Sequence, residues 1–354
     1  MPLRNILGKR FPGKEDMKIT IKDVARAAKV SISTVSKVIN HSDAISDKTI
    51  KNVLQAIKDL NYVPNYSARC LASSSTNNVL FVFAARKNEA YSNPHMFDVM
   101  CGVQDALDDS GLSLSLVDIA NVGDLDTFLD KTILQRKADG VIVHGSAGSA
   151  RLFGILSRKM LPTLYIGTPA NKDLVSWVNA NDKHVGFVAA EDLIQHGLKD
   201  IGFVCGPKDS DISSFRAEGF CRAMQSYGLV PAAGPLVVAT DNTPQGSEKA
   251  IARLILKHRL PAALICSNNT VAIGVYRALN TAALRIPGDV NVLVIDRYPY
   301  TQIMDPAPTI LWSNVYELGR VAGETLKKLI ATPTLHIGMY TTSPELIPGR
   351  STSF

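Results

Sequence analysis

The chain has 354 residues, 46% of them apolar, which suits two or three cores better than one. No apolar run approaches the ~18 residues that span a bilayer, and the opening MPLRNILGKRFPGKED lacks the apolar stretch and cleavage site of a secretory signal. Residues 1–73 hold 13 Lys and Arg against 6 Asp and Glu, and the remainder 25 against 26, so the positive excess lies wholly at the front.

Residues 1–16 read either as a disordered extension or as an upstream start with Met17 as the beginning. Residues 20–40, TIKDVARAAKVSISTVSKVIN, read as two short amphipathic helices joined by a tight turn. Ile21, Val24, Ala25 and Ala28 give the first one apolar face. Thr20 caps it, and Asp23 sits at its positive end. The second starts at Ser31, buries Val35, Val38 and Ile39, and turns Ile32, Ser33, Ser36 and Lys37 outward. This is the layout of a helix-turn-helix, whose second helix enters the major groove of DNA. A third helix follows Ser46, with Ile50, Val53, Leu54, Ile57 and Leu60 on its inner side, and Pro64 stops it. Joined to this head, the basic excess becomes a phosphate-binding footprint.

From Asn78 the pattern changes to apolar strands alternating with amphipathic helices. VLFVFA, LSLSLVD, GVIVHG and PTLYIG form one series; DIGFVCG, PLVVAT, ALICS and VNVLVID form a second. Parallel sheets covered on both faces follow, as two doubly wound subdomains with a cleft between them. Ligands of such sheets bind beyond the carboxyl ends of the strands. His144, Asn268 and Asp296 occupy those positions, Arg216 lies in the helix-starting run DISSFRAEGF, and Trp312 offers a ring for stacking. Four of these have a structural alternative: a strand-end turn for Asp296, a surface or helix-capping ion pair for Arg216, a satisfied polar residue for His144, core packing for Trp312.

The runs KDVARAAKVSISTVSKVIN, NYVPN and ARCLA, in that order, resemble the lactose-repressor (LacI/GalR) family of bacterial transcription regulators. The resemblance implies an all-α helix-turn-helix DNA-binding head on a periplasmic-binding-protein-like α/β core. The expected limits are 17–63 for the head, 64–77 for a hinge helix and linker, and 78–354 for the effector-binding and dimerisation core. Residues 312–335 are expected to return to the first subdomain after a crossing near 309. By the same match, Ile32, Ser33 and Lys37 read bases, while Ser31, Thr34 and Asn40 hold phosphates. Leu71 wedges the minor groove, and Arg216, Asn268 and Asp296 face the effector.

Three departures stand out: Lys29 where the family usually has Gly in the turn, Asn268-Asn269 where it often has Asn-Asp, and Gly197-Leu198 where it often has Gly-His. A left-handed backbone at Lys29 costs about 1–2 kcal/mol.

The expected function is a cytoplasmic, sequence-specific repressor. Its expected partners are double-stranded operator DNA and a small-molecule effector, a sugar or sugar derivative. A nucleobase or nucleoside effector, or a ligand-binding protein without DNA binding, is the alternative. A homodimer is expected, since ELIPGRSTSF carries no leucine heptad. No GxGxxG, GxxxxGK[ST] or GxSxG motif is present, and the five cysteines and seven histidines have no metal-ligand spacing. No enzyme activity, metal, cofactor or membrane contact is therefore expected.

Overall fold

The computed structural model describes residues 19–39, 45–62, 75–85, 94–134, 138–158, 160–232, 234–341 and 343–354. The extension 1–16, the hinge residues 64–73 with Leu71, and Asn40 lie outside them. The chain divides into two compact units between Ser75 and Thr76.

The first unit is helical: α1 (Ile21–Ala28), α2 (Ile32–Ile39) and α3 (Asp47–Asp59). The Asp23 carboxylate accepts from the Thr20 N–H at 3.0 Å and the Thr20 hydroxyl at 2.7 Å, fixing the start of α1. Val24, Ala25, Ala28, Val35, Val38, Val53, Ala56 and Tyr62 form the small core. Lys29 ends α1 at φ 54, ψ 42, so the left-handed turn forms without glycine. Asn52 of α3 donates to the Ala28 carbonyl at 2.8 Å and ties this turn down. Leu54 departs from expectation. It is 51% exposed, because Val53 and Ala56 take the inner positions of α3.

The second unit holds two lobes. In the first lobe, β1 (Asn78–Phe83), α4 (Pro94–Asp108), β2 (Ser113–Asp118), α5 (Leu125–Leu134), β3 (Gly140–His144), α6 (Ala150–Arg158), β4 (Thr163–Ile166) and β5 (Ser176–Asn179) follow one another. The second lobe runs through α7 (Asp182–Gln195), β6 (Ile201–Cys205), α8 (Asp211–Ser226), β7 (Leu236–Ala239), α9 (Pro244–Leu256), β8 (Ala263–Cys266), α10 (Asn269–Thr281), β9 (Asn291–Ile295) and β10 (Thr309–Trp312). The chain then returns as α11 (Val315–Ala331), which joins the first lobe's core, and adds β11 (Gly338–Tyr340) to the first sheet and β12 (Glu345–Ile347) to the second.

The strand orders are β11-β5-β4-β3-β1-β2 and β12-β10-β9-β8-β6-β7, parallel except for β12 against β10. Both sheets therefore reverse direction at one place, between β1 and β3 and between β6 and β8, and open a crevice there at their carboxyl ends. The return to the first lobe begins at Val315 rather than 312, because Trp312 closes β10. Two lobe crossings run through asparagines in left-handed conformation, Asn181 at φ 57 and Asn314 at φ 46. Each caps the helix it begins, accepting from the N–H of His184 and of Glu317 respectively.

Glycines set how closely helices approach. A Cβ on Gly186 of α7 would lie 1.9 Å from the Arg216 carbonyl oxygen, and one on Gly219 of α8 would lie 1.9 Å from that of Lys183. Only bare backbone lets α7 and α8 cross here, and the crossing delivers Arg216 to Asp182. Gly186→Ala must force the helices apart and should cost about 3 kcal/mol of core stability, read as a lowered urea midpoint.

Candidate functional site

In the head, Ser31 precedes α2 and its Oγ accepts the Thr34 N–H at 3.1 Å. The Ser31 hydroxyl also meets those of Ser33 at 2.7 Å and Thr34 at 2.8 Å. Ile32, Ser33 and Lys37 are exposed on one side of α2, with Val35 and Val38 buried on the other. The helix thus shows solvent a hydroxyl cluster, one apolar side chain and one cation. These groups can hydrogen-bond, contact a methyl group and neutralise phosphate.

In the core, the elements converge on one buried guanidinium. Arg216, 2% exposed, donates from Nε to Asp182 Oδ1 at 3.0 Å, and from Nη1 to the Ser267 carbonyl at 2.6 Å and to Asp296 Oδ2 at 2.9 Å. Nη2 makes no hydrogen bond among the described residues. Asp296 Oδ1 accepts from the Ser313 backbone N–H and hydroxyl. Asp182 comes from the start of α7, Ser267 from the end of β8, Asp296 from the end of β9 and Ser313 from the end of β10. Burial works against the charged guanidinium, but Asp296 and Asp182 outweigh it and raise its pKa. Burial likewise opposes the Asp296 carboxylate, and Arg216 and His95 reverse the balance, holding its pKa below the usual range.

The other lobe faces this cluster. His95, at the start of α4, feels the charges of Asp296, Arg216 and Asp182, and burial keeps its pKa low. Its ring meets that of His144 edge-on, with centroids 6.1 Å apart. His144 Nδ1 lies 3.0 Å from the Ser146 hydroxyl, and burial, then His95, holds its pKa down to about 3. Burial therefore favours the neutral form of both imidazoles. Asp98 of α4 and Tyr298 are coupled to Asp296 from opposite sides of the crevice, and burial raises both pKa values. Tyr298 is 6% exposed and its hydroxyl has no hydrogen-bond partner among the described residues.

Of the residues expected from sequence, Arg216, Asp296 and His144 gather at the crevice. Asn268 caps α10, accepting the Val271 N–H at 3.0 Å and donating to Asn242 at 2.8 Å. Trp312, half-buried, ends β10 beside Ser313. Sequence reading missed Asp182, Ser313, His95, Asp98 and Tyr298. An acid in the first turn of α7 was the one local signal, since a buried arginine needs carboxylates. Among the described residues no group of three His, Cys, Asp or Glu side chains is placed to hold a metal, and no helix is long and apolar enough to cross a membrane.

Residues 20–65 match the model of the bacterial regulatory proteins of the lacI family, and residues 190–352 match that of the periplasmic binding protein-like domain. The HTH-type transcriptional repressor PurR of Haemophilus influenzae (strain PittEE) is 30% identical over 342 residues, covering 94% of this chain and 98% of the relative. The chain belongs to the lacI family of bacterial regulatory proteins. PurR of Proteus mirabilis (strain HI4320) is 28% identical over 94% of this chain and 96% of its own length. The lac repressor dimer bound to operator and the anti-inducer ONPF superposes with a TM-score of 0.78 at 19% identity, covering 94% of this chain and 99% of that one, and so shares the fold. The transcriptional regulator CelR–cellobiose complex gives 0.71 at 25% identity with the same coverage. As a member of the lacI family, this chain is a transcriptional regulator carrying a helix-turn-helix head and a two-lobed α/β core.

The low pKa of Asp296 makes a prediction about acid. A depressed carboxylate contributes stability that is present above its unfolded value and is lost as pH falls toward its folded one. Core stability should therefore fall below about pH 4. Asp296→Asn should be less stable at neutral pH and fall less steeply in acid, as thermal unfolding across that range would show.

Proposed function

We propose that the chain represses transcription as a homodimer whose hold on operator DNA is switched by an uncharged polar effector in the crevice. The carrying observation is the Arg216 cluster. One guanidinium stands with two carboxylates, and burial works against a charge on both neighbouring histidines and on Asp98. The floor is net negative, which disfavours a phosphate or carboxylate and suits hydroxyl and carbonyl groups. Arg216 Nη2 is the donor edge left for a ligand oxygen, and the phenol of Tyr298 is a second. A sugar or sugar derivative is the first choice, in keeping with the cellobiose in the CelR complex. A nucleobase or nucleoside is equally uncharged and is the second reading.

In this proposal, Ile32, Ser33 and Lys37 read bases, and Ser31 and Thr34, with Asn40, hold phosphates. Two heads occupy successive half-sites of a pseudo-palindrome. Asn40 and the Leu71 wedge come from the family resemblance, and His144, Asn268 and Trp312 complete the proposed effector set. Ligand across the crevice changes the angle between the lobes and, through the paired chains, the spacing of the heads.

Two experiments test this. A thermal-shift panel should find stabilisation by an uncharged sugar, nucleobase or nucleoside and none by its phosphorylated counterpart. Operator binding with the hit should then change in the wild type but not in Asp296→Asn; an unaltered response in that variant removes Asp296 from the pocket. Separately, operator affinity should fall steeply with salt, and Lys37→Ala, a base reader in this proposal, should relax sequence preference while leaving the slope of log K against log [salt] almost unchanged. A slope smaller by about one unit assigns Lys37 to phosphate instead.

A further inference from the structure

Asn269 opens α10 and is 2% exposed. Its amide nitrogen donates to the Ile295 carbonyl at 3.3 Å and to the Asp296 carbonyl at 2.9 Å, spending both hydrogens on consecutive residues of the neighbouring strand end. Its own Oδ1 is buried with no hydrogen-bond partner among the described residues. This geometry fixes which way the amide faces, since the reverse setting would bring its oxygen against two carbonyl oxygens.

The strand end that Asn269 grips is strained. Asp296 has φ 71, in the left-handed region, although it carries a side chain. That conformation turns its carboxylate back to Arg216 Nη1 and the Ser313 hydroxyl. The Asp296 N–H is held by the Leu311 carbonyl at 2.9 Å, and its carbonyl by Asn269. Asn269 also adjoins the turn whose Ser267 carbonyl receives Arg216. One amide therefore joins the two strand-end turns that supply both oxygen partners of Nη1.

We propose that Asn269 is a positioning residue. It pins the left-handed Asp296 backbone and so sets the Arg216–Asp296 pair, an arrangement an aspartate here cannot make because an ionised carboxylate has no hydrogen to donate. This accounts for the amide at a position where the resemblance often puts an acid. The consequence for effector response rests on the proposed function above; the positioning itself does not.

The test uses the full chain without ligand. The Arg216 Nε–Hε group, buried against Asp182, gives a side-chain NMR signal identified by its loss in Arg216→Lys, and its hydrogen exchange reports how firmly the guanidinium is held. At about pH 8, Asn269→Asp should exchange this proton about tenfold or more faster than wild type. By about pH 5.5 the new carboxyl, raised by burial and by Asp296, regains a proton it can donate, and the variant-to-wild-type ratio should return most of the way to one. Asn269→Leu, neutral and without donors, should be fast at both pH values. The titratable groups around this turn are Asp296, Arg216, Asp182 and Tyr298 of the same lobe and His95 and Asp98 of α4, so each rate is compared with wild type at the same pH.

Wild-type exchange in either variant at about pH 8 overturns the proposal, as does acid recovery in both variants or in neither. If Asn269→Asp does not fold at about pH 8, Asn269→Leu alone decides at that pH. If exchange behaves as expected but operator release by a wild-type effector is unaltered in Asn269→Asp, the positioning stands and the effector-site reading falls.

Discussion

A guanidinium taken out of water is the constraint around which the core is arranged. Removing Arg216 from solvent costs several kcal/mol, recovered only where carboxylates and carbonyls meet it in good geometry. Those partners come from three elements that are far apart in sequence, the start of α7 and the ends of β8 and β9, and Ser313 at the end of β10 holds Asp296 in turn. Each must stop at the right residue for the charge to be tolerated. Apolar side chains of similar volume often serve stability equally well, so the cluster is better explained by what it does for specificity. In the proposed function it holds a donor edge and a carboxylate at the crevice floor, oriented ahead of the effector.

The same economy of backbone appears where elements meet. Gly186 and Gly219 bring α7 against α8 closely enough for Arg216 to reach Asp182, and on the other lobe Gly102 and Gly319 do the same for α4 and α11, with Cβ clearances of 2.0 and 2.1 Å to opposing carbonyl oxygens. The helix pairs that flank the crevice are thus rigid bodies with little slack. Compliance between the lobes is left to the crossings, two of which pass through the left-handed asparagines Asn181 and Asn314.

Much of this was legible in the amino-acid sequence, and the parts that were not share a cause. The head could be read because its signals are local: Thr20, Asp23 and Ser31 cap within a turn, and Lys29 adopts the left-handed conformation that its place in the turn demands. Asp296 could be named because strand ends collect ligands in this topology, and Arg216 because the family resemblance turns its helix toward the effector. Asp182 and Ser313 could not, since their roles exist only once chain segments 34 and 17 residues away are packed against them. β5, SWVN, is too short to show alternation and is buried throughout, while β11, GMY, is exposed throughout, so neither carries the periodicity of a half-buried strand. Leu54 misled for the opposite reason: it fits a helical period but falls beside the inward face rather than on it.

The two latest strands carry a cost during synthesis. β11 and β12 close one edge of each sheet, and both lie beyond residue 337. A ribosome that has made β1–β5 has produced a lobe still missing α11 from its core and still showing the unpaired edge of β5. Neither sheet is finished until residues 338–347 have emerged, although the head, complete by Tyr62, is free to fold at once. For most of its translation the nascent regulator is therefore a folded DNA-reading module trailing two unfinished sheets. Their open edges are the places where it is most exposed to mispairing with its neighbours on the same message.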